Sequence, residues 1–150
     1  MDAYRDYLNR FYLSTNRIDG LYYLAARKLG VNENTLALLY ELDGGGTRSQ
    51  KELSQALLIP KTTVNTVIRD WVRAGYVRLV SAGRSREKEV ALTEAGRAYA
   101  RQILRPVYAA EEEAMARTLE RFSPDFLLAV EALAGQLYQS FYQQILEKEP

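Results

Sequence analysis

The sequence contains no cysteine and no histidine. Without cysteine there is no disulfide, no thiolate nucleophile, no iron–sulfur cluster and no thiol redox sensor. Without histidine there is no Ser–His–Asp triad, no imidazole-ligated metal and no imidazole pH switch. Carboxylates alone are poor zinc ligands, so neither a metal nor a cofactor is expected. Long hydrophobic runs are missing too. Leu21–Ala26 and Leu36–Tyr40 are among the longest, far short of the roughly 20 residues that span a bilayer. The start, Met1-Asp2-Ala3-Tyr4-Arg5-Asp6, is acidic and polar, unlike a secretory signal. The expectation is a cytoplasmic protein with no membrane partner.

What is present is an ordinary globular composition. The 150 residues are 47% apolar and 26% charged, enough for one domain with a real core. The net charge of +1 hides a strong asymmetry. Residues 47–105 hold twelve basic and five acidic side chains, a net +7, and the remainder holds eight basic and fourteen acidic, a net −6. A localised basic surface is the electrostatic footprint of nucleic-acid binding.

Helical periodicity dominates the chain. Tyr4, Tyr7, Leu8, Phe11, Ile18, Leu21, Tyr22 and Ala25 fall mostly on one face of a first helix. Lys28 sits in its last turn and Gly30 stops it. A second helix starts at Asn32, carries Leu36, Leu39 and Tyr40, and breaks at Asp43-Gly44-Gly45-Gly46. A third begins near Ser49 with Glu52 three residues on, a capping-box pattern, and Pro60 forbids its extension. A fourth runs from Lys61 to Ala74, with Gly75 as its stop. Tyr76–Val80 and Lys88–Leu92 are rich in β-formers. The hairpin connection between them holds Gly83, Arg84 and Arg86. Thr93-Glu94 then caps a long helix, expected to kink at Pro106. After Ser123-Pro124-Asp125 a last helix aligns Phe126, Val130, Leu133, Leu137, Phe141 and Ile145.

The fourth helix carries the functional reading. On a helical wheel Val64, Val67, Ile68, Trp71 and Val72 cover one face. Thr62, Thr66, Arg69 and Arg73 cover the other, with Asn65 at its border. Short hydrogen-bonding groups near the N-terminus can approach base edges, and arginines further along can reach phosphates. The preceding helix ends only about three residues earlier, which is the helix-turn-helix spacing. The basic hairpin that follows, with Arg84, Arg86 and Lys88, reads as a wing.

These residues resemble the MarR family of winged helix-turn-helix regulators. The matching pieces are Ser49-Gln50-Lys51-Glu52-Leu53, Ile59-Pro60-Lys61-Thr62-Thr63-Val64, Trp71-Val72-Arg73-Ala74-Gly75-Tyr76-Val77 and Val90-Ala91-Leu92-Thr93-Glu94-Ala95-Gly96. The Leu-Thr-Glu-Ala-Gly run is the most diagnostic. The resemblance implies a mainly α fold: a winged helix-turn-helix core with a short hairpin wing, flanked by N- and C-terminal dimerisation helices. Residues 1–150 would form a single domain of this type. Residues 31–105 would be the DNA-binding unit with the start of a linking helix, and residues 1–30 and 106–150 the dimerisation helices.

It further implies a homodimer on a palindromic operator, released by a small organic ligand. By position, Lys61, Thr62, Thr63, Asn65 and Thr66 belong to the recognition helix, joined on its polar face by Arg69 and Arg73. Ser49 and Gln50 are expected at the DNA backbone. Arg86 matches the family's wing arginine. Arg84 stands where an Asp often precedes that arginine, so the orienting Asp–Arg pair is lost. Thr66 replaces an arginine common in the middle of the recognition helix, which shifts base readout away from guanine. Asn65 can pair with adenine and threonine methyls can touch thymine, so an A·T-rich half-site is expected.

Tyr7, Phe11, Leu133, Leu137, Phe141 and Ile145 are the expected dimerisation residues. Eleven tyrosines suit a small aromatic or phenolic ligand. An enzyme is not expected. Glu111-Glu112-Glu113 points in diverging directions on a helix, and Gly44-Gly45-Gly46 lacks the Lys-Ser/Thr of a phosphate loop. The competing reading is a winged-helix protein-interaction module that has lost specific DNA binding.

Overall fold

A computed structural model describes residues 2–81 and 88–147. The chain forms two compact units, residues 1–107 and 108–150.

In the first unit, α1 (Asp2–Lys28) ends with Arg27 and Lys28 in its last turn, and Gly30 turns the chain with a φ of 78°. Helix α2 (Glu33–Asp43) starts where expected: the Asn32 side chain accepts from the Thr35 amide at 2.8 Å. Strand β1 (Arg48–Ser49) is followed at once by α3 (Gln50–Leu57) and then α4 (Lys61–Arg73). Strands β2 (Val77–Ser81) and β3 (Lys88–Leu92) pair antiparallel, Val77 opposite Leu92 and Ser81 opposite Lys88. β1 adds to the far edge of β3, Arg48 opposite Val90, giving the order β1-β3-β2. Helix α5 (Glu94–Leu119) continues through Pro106 and crosses from the first unit into the second.

The core of the first unit is aliphatic with one indole. Leu36, Leu38, Leu39 and Leu42 of α2, Leu53 of α3, and Val64, Ile68 and Trp71 of α4 are buried, as are Val77, Val90, Leu92, Ala100, Ile103 and Leu104. Two expected core positions differ: Val67 is half-buried and Val72 is exposed. Val67 and Val72 lie at the two edges of the apolar face of α4, whereas Val64, Ile68 and Trp71 lie at its centre.

The C-terminal end of β3 is locked to the start of α5. The Thr93 hydroxyl accepts from the Gly96 amide at 3.0 Å and donates to the Gly75 carbonyl at 2.6 Å. The Thr93 amide donates to the Tyr76 carbonyl at 2.9 Å. A Cβ on Gly96 would lie 1.8 Å from that same carbonyl oxygen, so only glycine fits. Tyr76 and Tyr99 stack beside this junction, with ring centroids 4.4 Å apart, and burial raises the Tyr99 phenol above its ordinary range.

In the second unit, α6 (Phe126–Phe141) is followed by a π turn, Tyr142–Leu146. None of its residues is buried. The stripe expected from the sequence is only partly covered: Phe126, Leu133 and Leu137 are half-buried, while Phe141 is 53% and Ile145 60% exposed. In the first unit α1 is similarly bare. Tyr7 is 62% exposed, and Tyr4, Leu8, Tyr12, Leu13, Ile18, Leu21 and Leu24 are also exposed.

Candidate nucleic-acid interface

The turn between α3 and α4 is built by three local devices. Ser49 caps α3 with a complete capping box: its hydroxyl accepts from the Glu52 amide at 3.1 Å, and its amide donates to the Glu52 carboxylate at 2.7 Å. The Ser49 amide, then the Ser49 hydroxyl facing the carboxylate, with Arg48 nearby, hold the Glu52 carboxyl below its ordinary value. At the other end Leu58 adopts a left-handed conformation, φ 51°, which closes the helix. The Ser54 hydroxyl donates to the Ile59 carbonyl at 2.7 Å, and Pro60 opens α4.

This turn presents α4 with one face inward and one face free. Lys61, Thr62, Asn65, Thr66, Arg69 and Arg73 are exposed, and Thr63 is half-buried. The Thr66 hydroxyl donates to the Thr62 carbonyl at 3.0 Å. Its proton is thus engaged, and at the surface Thr66 offers a methyl group and acceptor lone pairs. Arg73 lies 3.8 Å from Asp70, an exposed pair worth little in water.

The other predicted residues distribute unevenly. Ser49 is buried, and both its amide and hydroxyl serve the cap. The side chain expected at the DNA backbone therefore holds α3 in place. Gln50 is half-buried at the start of α3. Lys88 is exposed at the first position of β3. Arg84 and Arg86, the expected wing residues, lie outside the described residues. Phe11, Leu133 and Leu137 are half-buried. Among the described residues no cluster of acidic side chains could hold a metal ion, and no helix is long and apolar enough to cross a membrane.

Two features escaped sequence reasoning. The first is β1, which ties the helix-turn-helix to the hairpin. Thr47 donates to the Glu89 carboxylate, and Arg48 pairs with Glu41 of α2 at 3.3 Å. The second is a hollow on the polar side of α4. Its walls are Asn32 and Asn34 at the start of α2, and Thr62, Thr63, Thr66 and Val67 of α4. The N-cap pattern at Asn32 was readable in the sequence, but nothing local placed it against α4.

Three helices, a tight turn, a small antiparallel sheet and an exposed polar helix face define a winged helix-turn-helix protein. Residues 29–87 match the model of the MarR family, the family that the sequence of this segment resembles. No curated protein matches the chain. Among solved structures, a MarR family regulator from Neisseria meningitidis superposes with a TM-score of 0.74 at 22% identity, covering 95% of this chain and 98% of that one. A MarR family transcriptional regulator from Silicibacter pomeroyi gives 0.70 at 18% identity over 87% and 93%. The Staphylococcus aureus MarR in complex with salicylate and kanamycin gives 0.64 at 15% identity over 93% of each chain. These likenesses establish the fold, and the family segment indicates a transcriptional regulator.

Proposed function

We propose that the protein is a sequence-specific regulator, acting as a repressor, that binds a palindromic, A·T-rich duplex as a homodimer in the cytoplasm. The observation that carries this reading is the free face of α4. Lys61, Thr62, Thr63, Asn65 and Thr66 form its first turns and Arg69 and Arg73 its later ones. Small neutral side chains reach base edges, Asn65 suits adenine, and threonine methyls suit thymine. Lys61, the two arginines and the wing's Arg84, Arg86 and Lys88 supply charge toward phosphates.

The bare apolar faces of α1 and α6 support the dimer. Leaving so many tyrosines, leucines and phenylalanines in water is costly, and a second copy of the chain covers both faces. Two-fold symmetry then sets two recognition helices about 34 Å apart, one duplex turn.

Release by a small aromatic or phenolic ligand draws support from a second hollow of about 320 Å³, lined by Tyr22 of α1, Leu36, Ala37 and Tyr40 of α2, and Leu57 of α3. Its volume lies at the lower end for ligand sites. Glu33 and Glu41 also line it, which suits a neutral phenol better than an anion.

The test is selection of duplexes from a random pool, followed by sedimentation of the free protein at micromolar concentration. A·T-rich inverted repeats and a dimer are expected. No salt-dependent shift of any duplex at low salt would leave the interaction-module reading standing and remove this one.

A further inference from the structure

The hollow shared by α2 and α4 is chemically unusual for this surface. Five of its six lining residues are polar, and none is charged. The one acid in the first turn of α2, Glu33, lines the other hollow and not this one. The Asn32 carbonyl oxygen is committed to the Thr35 amide, so the outward group of Asn32 is its NH₂ donor. Asn34 is half-buried in the first turn of α2, where backbone amides have no partner within the helix. The opposite wall is made of Thr62, Thr63 and Thr66, three of the residues assigned above to base and backbone contact.

We propose that this hollow seats one phosphodiester segment of the duplex whose groove α4 enters, and that Asn34 is a further DNA-contacting residue, donating its side-chain amide to a phosphate oxygen. The proposal rests on the DNA-binding reading of α4. A neutral cleft with the side-chain amides of Asn32 and Asn34 as donors, free of carboxylates and bounded on one side by the reading helix, fits a backbone segment. Neutral donors position the duplex without adding counterion release, so this contact sharpens the docking angle of α4 while leaving the salt dependence to Lys61 and the arginines.

The experiment compares wild type, Asn34→Ala, Asn34→Asp and Asn34→Lys on the tightest duplex recovered by selection and on a generic duplex of about three helical turns. Asn34→Ala is expected to weaken binding about ten- to a hundredfold, the loss of one hydrogen bond to a charged acceptor, with an unchanged salt slope. Asn34→Asp is expected to weaken it further. Because an acid in the first turn of a helix is favourable, the same variant should melt at or above the wild-type temperature. Asn34→Lys should raise the salt slope by about one unit. Wild-type binding with Asn34→Ala and Asn34→Asp both at wild-type affinity would overturn the assignment. Absence of binding by the wild type itself would instead overturn the DNA-binding reading.

Discussion

The contact between Gly96 and the Tyr76 carbonyl predicts a large effect from the smallest possible change. In Gly96→Ala the new methyl would sit 1.8 Å from the Tyr76 oxygen, 2.8 Å from its carbon and 3.2 Å from Leu92 Cδ2. The backbone of β2 or of α5 must retreat by about 1.5 Å to restore normal contact. That carbonyl also accepts from the Thr93 amide at 2.9 Å, and Thr93 reaches the Gly75 carbonyl at 2.6 Å. Separation breaks both bonds, at about 1 kcal/mol each, and leaves a part-buried carbonyl unsatisfied, at about 1–3 kcal/mol. Alanine returns about 1 kcal/mol through its better helix propensity. The net expectation is destabilisation by about 2–4 kcal/mol, a large share of the roughly 5–15 kcal/mol of a typical domain. Urea unfolding followed by far-UV circular dichroism measures it, at one fixed protein concentration because an oligomer's midpoint depends on concentration.

Gly44→Ala is the control. Gly44 has a φ of −60°, and a Cβ there would meet only the Glu41 carbonyl oxygen, at an ordinary 3.7 Å. This variant should be stabilised by up to about 1 kcal/mol through reduced freedom of the unfolded chain. A Gly96→Ala protein within about 0.5 kcal/mol of wild type would refute the reasoning, because it would mean that α5 does not rest on Tyr76.

Other substitutions test the turn that presents α4. Leu58 holds a left-handed φ of 51° with its side chain 72% exposed, so Leu58→Gly should stabilise by about 0.5–1 kcal/mol in chemical denaturation, strain relieved with little burial lost. Ser49→Ala removes the hydroxyl half of the capping box and should cost about 1–2 kcal/mol in the same assay. Glu52 titrates below its usual 4.5 because the Ser49 amide and hydroxyl bond its carboxylate. A lowered folded-state value means that its contribution is complete above the unfolded value and disappears as pH falls through the folded one. Melting temperatures of Glu52→Gln should therefore decline less steeply than those of wild type below pH 4.5, and both should be flat near neutrality.

The parts of the fold that were readable in the sequence are those decided locally. The capping box at Ser49 and Glu52, the Pro60 boundary and the Gly30 and Gly75 stops each act within one helical turn, and each falls where the sequence places it. Strand β1 was not readable. Arg48-Ser49 has no β signature, and its two residues are a strand only because Val90 and Glu89 lie opposite them. Val72 is exposed because it sits at the edge of the apolar face, about 80° from Val64 on the wheel. The Leu92-Thr93-Glu94-Ala95-Gly96 run was noticed as a family resemblance. The structure supplies its physics: Thr93 bonds two elements, Glu94 favours the helix start, and Gly96 leaves room for a carbonyl. At the interface, the polar face of α4 was legible from its periodicity. Asn34 was not, because its place beside Thr62 and Thr66 is a tertiary fact.

Ser49 ends β1 and caps α3 at the same time, and β1 is bonded to β3, the middle strand of the sheet. One residue thus fastens the strand that pairs with the hairpin to the helix that precedes the turn. Tilting β3 drags α3 with it, and α4 follows through a connection only three residues long. The hairpin base and the α3–α4 pair are joined by strand pairing, a shared cap residue and a short connection. In the proposed dimer, a ligand that moves these joined elements as one would act by changing the spacing of the two recognition helices against the fixed pitch of the duplex.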